Sequence, residues 1–166
     1  MTDSLTPERR RWNMSRVRSG DTKPEFLLRS LLHRAGVRFR LHRHDLPGKP
    51  DLVLPRHRLA IFVHGCFWHR HPGCRRASTP SSNRERWLAK FAKNQQRDAQ
   101  VREALEAAGW RVHVVWECEL MRSPQSVAET ILDLVAAPKP YALPGRRELL
   151  KVAEAKFREK FDALEN

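Results

Sequence analysis

The stretch DLVLPRHRLAIFVHGCFWHRHPGC, residues 51–74, decides how the chain is read. DLVL (51–54) and LAIFVH (59–64) are aliphatic, β-rich runs joined by PRHR, which is the pattern of a hairpin. LPGKP just ahead of them is a turn. Past His64 the character changes. Residues 65–83 are rich in Cys, His, Ser and Pro, and an irregular loop is expected there.

Upstream, Thr22-Lys23-Pro24-Glu25 opens a helix whose apolar face is Phe26, Leu27, Leu28, Leu31 and Leu32, with Gly36 as its closing residue. VRFRL (37–41) alternates apolar and basic residues, as a half-exposed strand does. Downstream, a long helical pattern runs from Arg84 to Ala108 and stops at Gly109; RVHVVW (111–116) is a strand, and Ser123-Pro124 starts a helix that ends before Pro138. This order predicts an α/β domain with a mixed central sheet flanked by helices.

Three regions follow: a basic arm over residues 1–20, a main domain over 21–137 and a helical extension over 138–166. Thr6 and Pro7 start a helix in the arm, and RRRWNMSRVRSG follows, with arginines at 9, 10, 11, 16 and 18. In the extension, Leu150, Ala153, Phe157, Phe161 and Leu164 recur at helical spacing, most simply to pack on the domain.

The 166 residues carry 32 Lys and Arg against 19 Asp and Glu, a net charge of +13. Such a field attracts polyanions, nucleic acid above all, and makes the binding strongly salt-dependent. No run is long enough to span a bilayer and no signal-like segment begins the chain, so the cytoplasm is the expected location, in association with the nucleoid.

Cys66, Cys74 and Cys118 cannot all pair with one another. With a histidine they form a thiolate-rich set suited to structural zinc, which would staple the irregular loop to the sheet. His71 is the preferred fourth ligand, with His64 and His69 as alternatives; three buried, inert thiols are the plainer reading. Asp51, at a turn-to-strand junction, suits a hard cation such as Mg²⁺. The next strand, LAIFVH, offers no second acid and no lysine. Phe67 and Trp68 are poorly placed for core packing and could wedge into a base stack.

WNM (12–14), Glu25, LPGKPDLV (46–53), FVHGCFWHRH (62–71), WLAKFAKNQQRD (87–98) and GWRVHVVWEC (109–118) together closely resemble the very-short-patch repair (Vsr) DNA mismatch endonucleases. The resemblance implies a restriction-endonuclease-like fold with a structural zinc and Mg²⁺-dependent nicking of DNA. The nick would fall 5′ of the thymine in T:G mismatches left by deamination of 5-methylcytosine. It further implies that Asp51 and the Val63 carbonyl hold Mg²⁺, that His69 is the base, that His64 supported by Glu25 assists at the phosphate, and that Asp98 belongs to the same site. Cys66, His71, Cys74 and Cys118 match the zinc set. Trp87 would join Phe67 and Trp68 as an aromatic wedge, Lys90 and Asn94 would reach base edges, and Met14 would enter from the opposite groove. Val63 replaces a frequent Thr, and the His71-to-Cys74 spacing is one residue longer than in some members. A monomer is expected; recruitment of mismatch-repair proteins stays open. The rival readings are a non-catalytic zinc-stabilised protein that binds distorted DNA, and a basic RNA-binding or ribosome-associated protein.

Overall fold

The structure is a computed structural model that describes residues 6–16 and 20–137. Residues 17–19, with Arg18, and the whole extension 138–166, with its Leu150–Leu164 stripe, lie outside the described residues. The chain runs α1 (Pro7–Ser15), α2 (Lys23–Arg34), β1 (Leu52–Leu54), β2 (Leu59–His64), α3 (Cys66–His69), α4 (Arg84–Ala107), β3 (Arg111–Trp116), α5 (Glu117–Arg122) and α6 (Pro124–Ala136).

The described residues form one small mixed sheet in the order β1-β2-β3. β1 and β2 pair antiparallel, while β2 and β3 pair parallel. The hairpin forms as the sequence predicts, although PRHR folds as a single 3-10 turn closed by Arg58 in the left-handed region. Side chains alternate across the strands. Leu52, Leu54, Leu59 and Ile61 join Leu28, Leu32, Leu120 and Ile131 under α2, α5 and α6. Val53 and Ala60 face the other way, onto Leu105 of α4 and Trp110. Each fully buried Leu or Ile contributes about 1.5–3 kcal/mol, so this two-sided burial holds a three-stranded sheet that could not stand alone.

Three local readings need correction. VRFRL is not a strand: Val37 folds back to bond the Leu32 carbonyl after Gly36 turns left-handed, and His42 turns left-handed at the other end. What survives is a single bridge, Arg40 with Val53. The loop 65–83 begins with the one-turn helix α3, and α5 fills the stretch between β3 and α6. Such short helices carry too few residues for a period to show.

Gly48 and Lys49 both adopt positive φ in the turn before Asp51. A Cβ on Gly48 would overlap the methyl groups of Val101 on α4. Val101 is β-branched and has little rotamer freedom on a helix, so the strain falls on the backbone. Gly48→Ala is expected to destabilise the protein by about 1–3 kcal/mol in urea unfolding; an unchanged midpoint would show that the turn can shift freely.

Candidate active site and metal centre

The parallel pairing of β2 with β3 builds the site. Its register places His64 opposite Trp116, so the two chains leave the sheet side by side at their carboxyl ends. Ligands commonly bind beyond the carboxyl ends of parallel strands in α/β proteins. Two residues past each register partner stand Cys66 and Cys118, and the tight turn of α3 brings His69 and His71 over the same end.

Cys66, His71, Cys74 and Cys118 place their ligand atoms within 4.8 Å of one another. His71 Nδ1 lies 3.2 Å from Cys118 Sγ and 3.7 Å from Cys66 Sγ. A tetrahedral zinc with sulfur ligands near 2.3 Å and nitrogen near 2.0 Å sets such edges at about 3.5 Å, so the donor set fits. His71 also lies flat on Trp116, centroids 4.3 Å apart, and its Nε2 faces Glu119 Oε1 at 3.5 Å. Burial pushes the Cys66 thiol up to about 12, whereas hydrogen bonding from the Arg76 backbone lowers Cys74. His64 and His69 are not in this cluster; with Asp98 they form a separate one.

That second group lies in an open cleft of about 1320 Å³ between the turn before β1, α3 and α4. His69 Nδ1 and Asp98 Oδ2 are 2.5 Å apart. The carboxylate fixes the tautomer that donates from Nδ1 and leaves the Nε2 lone pair free. The His64 ring stacks on His69 with centroids 3.8 Å apart and planes 14° from parallel. Burial first, and the nearby His69 second, lower His64 to about 4, so it is neutral at working pH.

Asp51 lines the same cleft. Its Oδ2 accepts the Val63 amide at 2.7 Å, which ties the turn to β2 next to the Val63 carbonyl. Burial raises the Asp51 acid from 3.8 to about 6 despite that bond, and the Glu25 charge adds to the rise. A raised acid favours folding below the unfolded value, and this contribution is lost as pH climbs through about 6. The ionised carboxylate therefore costs roughly 3 kcal/mol near neutrality. Asp51→Asn, free of metal, is expected to melt higher than wild type at about pH 8 and equally at about pH 4. Thermal scans at both pH values check this, and a lower melting point at the higher pH would contradict it.

Glu25 is 3% exposed and is held by Thr22, the Asp21 amide and Arg29. Arg29 and His42 escaped the sequence reading, though the i,i+4 spacing of Glu25 and Arg29 was a usable signal.

The aromatics are packed rather than free. Phe67 meets Trp68, Trp87 and Phe91 edge-on at 5.1, 5.4 and 5.1 Å, and the buried Phe91 anchors the group to α4. Phe67, Trp68 and Trp87 stay half-buried. Lys90 is exposed on the cleft, but Asn94 is buried and donates its amide to the Trp68 carbonyl at 3.1 Å. Met14 falls in α1, and its side chain lies outside the described residues.

A family model described as DNA mismatch endonuclease Vsr matches residues 2–76. The type II nicking enzyme V.XorIIP of Xanthomonas oryzae pv. oryzae is 58% identical over 120 residues, 72% of this chain and 88% of its own. V.NmeAIP of Neisseria meningitidis is 43% identical over 72% of this chain and 85% of its own. The DNA mismatch endonuclease Vsr of Escherichia coli is 42% identical over 133 residues, 80% of this chain and 85% of its own. By this kinship the protein is a nuclease. The chain belongs to the Vsr family of DNA mismatch endonucleases.

Proposed function

We propose that the protein nicks one strand of duplex DNA on the 5′ side of the thymine in a T:G mismatch, and so starts short-patch repair of deaminated 5-methylcytosine. The observation that carries this reading is the oriented pair of histidines, His69 bound to Asp98 and stacked on His64, in one cleft with Asp51. Mg²⁺ held by Asp51 and the Val63 carbonyl would neutralise charge at the phosphate and lower the pKa of a bound water. His69 Nε2 takes the proton from the attacking water; Asp98 steadies the imidazolium that results. His64, neutral and buried, would donate a hydrogen bond to the phosphate from the stacked position, while Glu25, bonded to Thr22, Asp21 and Arg29, borders the same cleft. The bond between phosphorus and the leaving oxygen breaks as the new one forms.

Zinc is the metal that three thiolates and one imidazole favour, and its role here is structural, pinning α3 and the loop after it to α5. The domain is read as restriction-endonuclease-like, consistent with a mixed sheet whose hairpin carries Asp51. Phe67, Trp68 and Trp87 face the mismatch as an aromatic platform, with Lys90 beside it and Met14 entering from the other groove. Asn94 contributes chiefly through its hold on Trp68. No helix of the described residues is long and apolar enough to cross a membrane; a cytoplasmic, nucleoid-associated monomer that hands its nick to mismatch-repair proteins fits the reading.

The test is a labelled duplex with one T:G mismatch beside T:A and C:G controls, with Mg²⁺ present. Wild type is expected to cut the T strand alone and Asp51→Ala to leave it whole. Tight mismatch binding without a cut across many flanking sequences would instead leave a sensor of distorted DNA.

A further inference from the structure

Arg29 does not line the cleft, yet it joins three segments that do. Its Nη1 donates to Asp21 Oδ1 at 2.6 Å, and its Nη2 donates to Glu25 Oε2 at 2.7 Å. The same Nη2 lies 3.3 Å from His42 Nε2, which is itself 3.3 Å from Asp21 Oδ1. Thr22, Glu25 and His42 all face the cleft beside Asp51.

The arrangement is costly in ways that simple packing does not require. Arg29 is 8% exposed and Glu25 3% exposed, and burying an ion pair gains little over apolar packing. Arg29 Nε is buried without a hydrogen-bond partner, because the planar fork is aimed by its two Nη contacts. Asp21 and His42 both adopt positive φ, so the backbone too is strained at the points where the clamp grips. Strain and an orphaned buried donor gathered at the lip of a catalytic cleft point to function rather than stability.

We propose that Arg29 is a positioning residue: it locks the Glu25 carboxylate, the Asp21–Thr22 turn and the His42 loop into one charge-balanced wall beside Asp51. Arg29 sets a cation directly on the buried Glu25 carboxylate, whose charge acts on the neighbouring Asp51. With the guanidinium in place, Oε1 of Glu25 accepts the Thr22 hydroxyl at 2.8 Å, and Oε2 accepts the Asp21 amide at 3.0 Å. The turn is thereby held closed over the start of α2. The charges of Glu25, His42 and Arg29 are all felt at Asp51, the first opposing the other two.

The test has two arms, and only the second rests on the proposed nicking reaction. In the first, amide hydrogen exchange is followed in wild type, Arg29→Lys, Arg29→Gln and Arg29→Met. Exchange at Asp21 and Thr22 is expected to rise at least about tenfold in the Met variant, with β2 amides unchanged. In the second, single-turnover nicking of a T:G duplex is expected to fall about 10- to 100-fold in Arg29→Met. Duplex affinity should hold, and Arg29→Lys should recover most of the rate. Unchanged exchange at Asp21 and Thr22 would overturn the clamp. Equal unfolding in all three variants, the Lys one included, would reduce Arg29 to a packing residue and overturn the proposal as well. A wild type that does not nick would sink the nuclease mechanism alone, with the exchange arm still deciding the clamp.

Discussion

His69→Ala is expected to lower the single-turnover nicking rate by about 10²- to 10⁴-fold, with mismatch-duplex affinity little changed. The expectation follows from geometry. The 2.5 Å contact with Asp98 commits Nδ1 as donor, and stacking against His64 at 3.8 Å fixes the ring plane, so Nε2 is the free basic nitrogen. Alanine removes that nitrogen and leaves Asp51 untouched. Asp98→Asn makes the finer distinction. An asparagine can present its NH₂ to Nδ1, which would then accept, and the proton would move to Nε2, where a base cannot carry it. A drop in rate at constant affinity is therefore expected for Asp98→Asn too, smaller than for His69→Ala. Rapid-quench kinetics on a T:G duplex with both variants checks the pair. Nicking within about threefold of wild type in His69→Ala would remove this histidine as the base, since loss of a general base typically costs about 10²-fold or more. Full activity in Asp98→Asn alone would keep the base and discard its orientation by the carboxylate.

The parts of this site legible in the sequence are those that local pattern dictates. The hairpin of 51–64 showed as two β-rich runs about a proline turn, and the long helix α4 showed as period and closing glycine. Cys66, His71, Cys74 and Cys118 could be gathered by ligand arithmetic alone, but their meeting depends on β2 and β3 being parallel, which spacing does not state. The separation of His71 from His64 and His69 was likewise open until α3 was seen to turn. Tertiary contacts account for the rest. VRFRL has the period of a strand, yet Gly36 and His42 bend the chain at both ends and leave one bridge. Phe67 and Trp68 looked free because their packing partners, Trp87 and Phe91, lie some 20 residues on, brought near only by α4 folding over α3. Asn94, on the same face of α4, is drawn inward by the Trp68 carbonyl, an acceptor with no sequence signature.

Removal of the metal proposed at the cysteine cluster is expected to have the second large effect, and on folding rather than on chemistry alone. The loop after α3 has little apolar surface to bury: among residues 70–83 none is fully buried. Its attachment to the sheet runs through Cys74 and His71 to Cys118 at the start of α5. Burial pushes the Cys66 thiol up to about 12, so without a cation it carries its proton. No disulfide among the described residues substitutes for the missing cross-link. Structural zinc at such a site is worth on the order of 10 kcal/mol, comparable to the whole stability of a small domain. The purified protein is accordingly expected to carry one zinc ion per chain by elemental analysis. Strong chelation, or Cys118→Ser, should lower the melting temperature by more than about 10 °C. The loss should reach the catalytic side as well, because α3 holds Cys66 on one side and His69 on the other. His69 then loses its stack on His64, and the aromatic group around Phe67 loosens with it. Cobalt substitution gives a direct readout, since thiolate ligands produce a charge-transfer band that grows with their number, beside the intense visible bands of a tetrahedral site. A metal-free protein that melts like the native one would leave these cysteines as inert thiols.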